Sequence, residues 1–179
     1  MSKLVVSTYV TLDGVIDSPQ EWSLKYFDKE AEAFASEQLF AADALLLGRE
    51  TYEGFVQAWP PRGGEFADRM NRMPKYVAST TLDEPLEWNA KLITGDLIEE
   101  VSRIKRDESL LTYGSGRLAR TLLEHGLIDE HRLWVTPVVW GSGARLLEGA
   151  TETKVGELID AQTIPSGQTI LTYGPAEEE

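Results

Sequence analysis

The sequence predicts an α/β fold of three layers, a mostly parallel sheet with helices on both faces. Three observations carry this expectation. Short β-branched or apolar runs such as residues 3–10 (KLVVSTYV) and 44–47 (ALLL) alternate with segments of helical period. Most of those runs lead into a glycine or a hydroxyl residue and then into a helix, the order of a parallel sheet buried on both sides. The chain closes on residues 155–161 and 169–173, joined by the turn Pro165-Ser166-Gly167, which reads as a terminal antiparallel hairpin.

Taken in order, residues 3–10 form a central strand, and Asp13-Gly14 opens a loop over residues 11–22 that carries Asp17, Ser18 and Pro19. Asp28 N-caps a helix with Glu30 and Glu32 in its first turn and Ala31, Phe34, Ala35, Leu39 and Ala42 on one face. Residues 44–47 form a second strand ending at Gly48-Arg49, and a helix over 51–59 stops at Pro60-Pro61. Phe66, Met70 and Met73 mark a short helix closed by Pro74, before a strand at 76–78 that ends in Ser79, Thr80 and Thr81. A strand at 92–94 runs into Gly95 and the cap Asp96, with Leu97, Val101 and Ile104 on one helical face. Residues 109–143 then read as a buried strand, a glycine turn (Gly114, Ser115, Gly116), a helix from near Arg117 to Gly126, and a strand over 132–139.

The chain has 179 residues with 42% hydrophobic composition and no segregating linker, so one domain is expected over residues 1–175, followed by an acidic tail at 176–179. Net charge is −13 with acids spread along the chain, which disfavours a nucleic-acid surface by repulsion. An anion must therefore sit in a local pocket. With no cysteine, disulfides, thiolate zinc sites and a cysteine nucleophile are excluded. No long apolar span or basic-then-apolar leader appears, so a soluble cytoplasmic protein with no membrane partner is expected.

Gly114 to Ala119 (GSGRLA) matches G-x-G-x-x-A between a strand and a helix, where free amides and the helix dipole suit a phosphate. The acid of a standard dinucleotide unit should end the next strand, whereas Asp129-Glu130 precede one, so a standard unit is rejected. Gly48-Arg49-Glu50-Thr51 offers a second phosphate grip, against the plainer reading of a surface ion pair. Ser79 and Thr80 are hydrogen-bonding candidates or ordinary turn residues, and Val10 and Gly95 lie at further strand ends. His125 and His131 form no metal set. Trp22 and Trp59 are candidates for stacking on a flat ligand in a substrate pocket, with core or dimer packing as the alternative.

The stretches STYVTLDGVI, FAADALLLGRETYEGF, MPKYVAST, GSGRLARTLLEHGLIDEHRLWVTPVVWGSGARLL and TILTYG together resemble the dihydrofolate-reductase-like superfamily. The branch they are most similar to is that of small bacterial proteins resembling the C-terminal reductase domain of the bifunctional riboflavin-biosynthesis deaminase/reductase. The resemblance implies an eight-stranded, mainly parallel sheet and NADPH as hydride donor. It places Gly48, Arg49 and Thr51 at the cofactor phosphates, Ser79 and Thr80 beside the adenosine 2′-phosphate, and Gly114, Ser115, Gly116, Arg117 and Leu118 at the pyrophosphate. Asp13 and Gly14 fall where the first loop passes nicotinamide and substrate. Dihydrofolate reductases place one carboxylate on the first helix, where this chain offers Asp28, Glu30 and Glu32, and the zinc deaminase motif is absent.

The expectation is therefore an NADPH-dependent reductase that passes hydride to a C=N or C=O carbon of a small heterocyclic or carbonyl substrate. Asp13 is the first candidate for the polar group at the reacting atoms, with Glu32 and Asp28 behind it. A raised carboxyl pKa there would follow from burial under Trp22. The alternative is a nucleotide- or ligand-binding homodimer on the same fold without catalysis, and a third reading is a mainly structural homodimer in which Trp134, Val138 and Trp140 pack a partner copy.

Overall fold

The computed structural model describes residues 1–114 and 116–177. Ser115, in the predicted glycine turn, and Glu178 and Glu179 of the acidic tail lie outside the described residues. The strands are β1 (Leu4–Thr11), β2 (Ala44–Gly48), β3 (Lys75–Ala78), β4 (Ala90–Leu92), β5 (Leu110–Tyr113), β6 (Glu130–Thr136), β7 (Gly156–Thr163) and β8 (Thr169–Pro175). The helices are α1 (Pro19–Trp22), α2 (Lys29–Phe40), α3 (Arg49–Ala58), α4 (Glu65–Arg72), α5 (Leu97–Lys105) and α6 (Arg117–Glu124), with a 3₁₀ turn at Leu24–Tyr26. The strands form one eight-stranded sheet in the order β4-β3-β2-β5-β1-β6-β8-β7, with helices on both sides.

The predicted elements recur with shifts that have local causes. Strand β6 stops at Thr136 because Pro137 has no N–H to continue a ladder. Helix α3 begins at Arg49 rather than 51, since the extended Gly48 acts as its N-cap directly. Strand β4 is set by pairing Lys75 with Ala90 and Val77 with Leu92, so it lies two residues earlier than the apolar run suggests. The loop after β1 contains α1, where Pro19 occupies the first helical turn and its fixed φ suits that position.

The chain divides into two compact units. The first comprises Met1–Leu4 and Ser36–Tyr113. In it β2 pairs in parallel with β3 and with β5, and β3 with β4. Leu45, Leu46 and Leu47 are fully buried, as a strand covered on both faces requires. Phe55 centres an aromatic group with Trp59, Trp88 and Tyr113 at 6.2, 6.4 and 5.7 Å. Lys75 is fully buried beside it, its Nζ donating to Asn71 O at 3.1 Å and lying 4.0 Å from the Trp88 ring centre. Asn71 also accepts the Trp88 indole N–H at 2.7 Å, so one asparagine satisfies both neighbours.

The second unit comprises Val5–Ala35 and Gly114–Glu179. Here β1 and β6 run parallel, from Val5 opposite Glu130 to Thr11 opposite Thr136. Strand β8 pairs antiparallel with β6 and with β7, the terminal hairpin expected. Trp134 is the centre of this unit: it is 0% exposed, donates Nε1–H to Ser7 Oγ at 2.9 Å, and meets Tyr9, Phe27 and Phe34 at 5.1, 6.4 and 5.2 Å. The expectation that Trp134 packs a partner copy is corrected by this burial.

Candidate functional site

In the first unit, β2 runs through Gly48 straight into α3. Gly48 is extended (φ −75°, ψ 166°) and, among the described residues, no side chain caps the helix. The amides of Arg49, Glu50 and Thr51 therefore lack an intrahelical acceptor, as at any helix start, and the end carries the positive pole of the dipole. Arg49 is 46% exposed and lies 3.6 Å from Glu53 one turn on, with Glu50 at 4.0 Å. An exposed i,i+4 pair of this kind is weak and leaves the guanidinium able to engage an anion. Helices α2 and α5 contrast with this. Asp28 Oδ1 accepts from Glu30 and Ala31 N–H at 3.0 Å, and Asp96 Oδ1 accepts from Glu99 N–H at 2.9 Å.

Also in the first unit, Ser79 Oγ accepts the N–H groups of Thr81 and Leu82, both at 3.1 Å, and meets the Thr81 hydroxyl at 3.3 Å. Its oxygen shapes the turn after β3, and the exposed Thr80 sits at the tip. Gly95 has φ +86°, a left-handed turn just ahead of the Asp96 cap. Trp59 packs on Phe66 at 5.4 Å and carries the Arg62 guanidinium 4.7 Å from its ring centre.

In the second unit, the turn after β5 opens with Gly114 at φ +90°, a region that only glycine enters cheaply. Gly114 N–H donates to Ser7 O at 2.9 Å. Gly116 is the N-cap of α6, again without a side-chain cap among the described residues, and Gly116 and Arg117 are exposed while Leu118 is half-buried. The sequence places Ser115 in the same turn, outside the described residues. Val10 is buried in β1, and Gly14 takes φ +83° in the loop that follows it.

The loop after β1 is clasped by the loop after β6, both in the second unit. Asp13 Oδ1 accepts from the Thr11 hydroxyl at 2.6 Å and Trp140 N–H at 3.0 Å, and Oδ2 accepts from Gly141 N–H at 2.8 Å. Arg145 Nη1 donates to Asp13 O at 2.8 Å and approaches Oδ2 at 3.4 Å. The Thr11 hydroxyl first, then the two amides, hold the Asp13 carboxyl well below the usual carboxylate range. This is the opposite of the raised pKa expected of an acid under Trp22. Trp22 is 2% exposed and donates its indole N–H to Asp17 O at 2.8 Å, so it braces the loop and offers no ring face to a ligand.

Asp28 is also committed. Besides capping α2, its Oδ2 accepts Ser166 N–H at 3.0 Å, and these bonds, Ala31 N–H foremost, lower its pKa. Glu32 is exposed on α2. The aspartates are thus structural acceptors, and the residues sequence reasoning missed here are Arg145 and Gly141, whose signal was only the glycine spacing in WGSG. Among the described residues no group of three or more His, Asp or Glu side chains could hold a metal ion, and no helix is long and apolar enough to cross a membrane.

An eight-stranded, mostly parallel sheet with helices on both sides and a closing antiparallel hairpin is the dihydrofolate-reductase-like α/β fold. The family model described as the RibD C-terminal domain matches residues 2–171, and the chain belongs to that family. Among its relatives, Bacillus subtilis YyaP is 26% identical over 96% of this chain and 94% of its own length. A Shewanella sp. PV-4 protein whose name places it in riboflavin biosynthesis has a similar structure, with a TM-score of 0.74 at 21% identity over 98% of this chain and 99% of that one. A pyrimidine reductase-like protein from Corynebacterium diphtheriae aligns with a TM-score of 0.69 at 13% identity, over 99% of this chain and 93% of that one.

Proposed function

We propose that this protein is an NADPH-dependent reductase that transfers hydride to a C=N or C=O carbon of a small substrate, with a pyrimidine as the favoured class. The observation that carries the reading is the pair of glycine-capped helix starts, α3 with Arg49 and α6 with Arg117, in a chain of net charge −13. Amides and guanidinium groups concentrated at such points in an acidic protein fit phosphate oxygens. In the first unit Gly48, Arg49 and Thr51 take cofactor phosphate, with Ser79 and Thr80 beside the 2′-phosphate and Gly95 at a neighbouring strand end. In the second, Gly114, Ser115, Gly116, Arg117 and Leu118 take the pyrophosphate, and Val10, Asp13 and Gly14 lie toward the reacting end. The dinucleotide, when bound, supplies the hydride.

The chain's own part in the reaction is orientation. Asp13 stays ionised and holds residues Trp140 and Gly141 against the loop after β1, so it acts as a positioning residue. Trp59 remains the ring candidate for a substrate pocket. The alternative, a nucleotide- or ligand-binding homodimer without catalysis, is favoured by one observation: both candidate aspartates already accept several structural hydrogen bonds and Glu32 is exposed.

Titration with NADPH followed by tryptophan fluorescence tests the reading, and absence of saturable binding at roughly tens of micromolar overturns it. Binding without NADPH oxidation on pyrimidine, pterin or carbonyl substrates supports the alternative. Arg49→Ala removes a charge-assisted contact worth about 1.5–3 kcal/mol. It is expected to weaken NADPH about tenfold or more and NADH less. Equal weakening of both contradicts the 2′-phosphate assignment.

A further inference from the structure

We propose that His131 and Thr8 form a buried positioning pair that fixes the glycine turn after β5 through the carbonyl of Gly114. Thr8 Oγ1 donates to Gly114 O at 3.2 Å and lies 3.2 Å from His131 Nε2. A hydroxyl has one proton, and a carbonyl can only accept. The Thr8 proton therefore goes to Gly114 O, and the imidazole donates to Thr8 from Nε2. This selects the Nε2–H tautomer of His131. Thr8 is 1% and His131 8% exposed, so their mutual contact is shielded from bulk water, while the bond to the exposed Gly114 is part-buried. Burial pushes the imidazole pKa down to about 4, which keeps it neutral at pH 7.

The geometry explains why the turn needs such a support. Gly114 at φ +90° is the residue with the widest choice of backbone conformations, and it sits two residues before the N-cap of α6. Its N–H is tied to Ser7 O, and its carbonyl to the next side chain along β1. Two consecutive residues of one strand thus hold both ends of the glycine. The imidazole behind Thr8 selects the hydroxyl rotamer that faces the turn. His131 is placed for this by the β1–β6 register, which sets it opposite Val6 and one same-face step from Thr8.

Where it concerns the cofactor, this inference rests on the reductase reading above. The test uses the full chain with Thr8→Val, Thr8→Ser, His131→Phe and His131→Gln, the last keeping a donor near the Nε2 position. Imidazole ¹⁵N spectra of the unaltered protein are expected to show Nε2–H. Thr8→Val and His131→Phe are expected to move the backbone amide resonances of Gly114, Gly116 and Arg117, and Thr8→Ser and His131→Gln to restore them. The first two are also expected to weaken NADPH roughly tenfold while 2′-AMP, which lacks the pyrophosphate, binds within about twofold of normal. An Nδ1–H tautomer overturns the proposal, as do unmoved turn amides in Thr8→Val or a Thr8→Ser variant as impaired as Thr8→Val. If Thr8→Val fails to fold, the tautomer and the Thr8→Ser and His131→Gln spectra decide. If the unaltered protein binds no NADPH, the reductase reading falls, whereas the tautomer and amide shifts still decide the pair.

Discussion

Gly141 donates its backbone N–H to Asp13 Oδ2 at 2.8 Å, joining two positions 128 residues apart in the chain. The bond is one of several on the same carboxylate, and together they explain why that side chain stays ionised.

Asp13→Ala is expected to lower Tm by a few degrees and to move the amide resonances of Trp140 and Gly141, because their acceptor is gone. Asp13→Asn, which keeps one acceptor oxygen, falls between. Its depressed pKa means that Asp13 contributes stability above the ordinary carboxylate range and loses it only in stronger acid. Any NADPH oxidation therefore keeps its pH profile above pH ~5 in Asp13→Asn. A lost acidic limb there contradicts the positioning role.

His131 acts in a separate pH window. Burial pushes its pKa down to about 4 in the folded chain, against an ordinary imidazole value of 6.5, so the unfolded chain binds more protons between these limits. Stability then falls as pH drops from ~6.5 to ~4, by at most about 3 kcal/mol. Chemical denaturation at pH 7 and pH 4.5 checks this, and His131→Gln is expected to show a smaller decrease over that interval.

Lys75 gives the alkaline counterpart. Burial pushes its pKa down to about 8, so between pH ~8 and ~10.5 the folded chain sheds a proton that the unfolded chain keeps. The contribution of this group makes stability rise with pH across that interval. Lys75→Met is expected to abolish this rise, measured as the difference in denaturation midpoint between the two proteins at pH 7.5 and 10.

Trp134→Phe removes the 2.9 Å bond to Ser7 while keeping an aromatic ring, at a cost of about 1 kcal/mol. Trp134→Ala also empties the space among Tyr9, Phe27 and Phe34, at about 3–5 kcal/mol. Equal, small losses in the two variants by equilibrium denaturation contradict the central place of this side chain in its unit.

The order of strands and helices, the Asp28 and Asp96 caps and the turn before β8 are legible in the sequence, because periodicity and capping depend on residues within about one helical turn or one strand pair. The glycines at 14 and 114 are legible for the same reason: a left-handed φ is a property of one residue. The RibD C-terminal domain family is also carried by local motifs, since residues 2–171 match it.

Tertiary structure alone decided what the carboxylates and tryptophans do. Asp13 looks like a free acid in LDG, and becomes a loop anchor only when Trp140 and Gly141 arrive from the other end of the chain. Trp22 and Trp134 look like ligand or partner surface, and both are buried. His131 looks like an isolated strand histidine until β1 brings Thr8 beside it and Thr8 reaches Gly114. For Asp13 and His131, hydrogen bonds between residues more than a hundred positions apart fix the role, and for the tryptophans burial does. No local pattern in the chain records either.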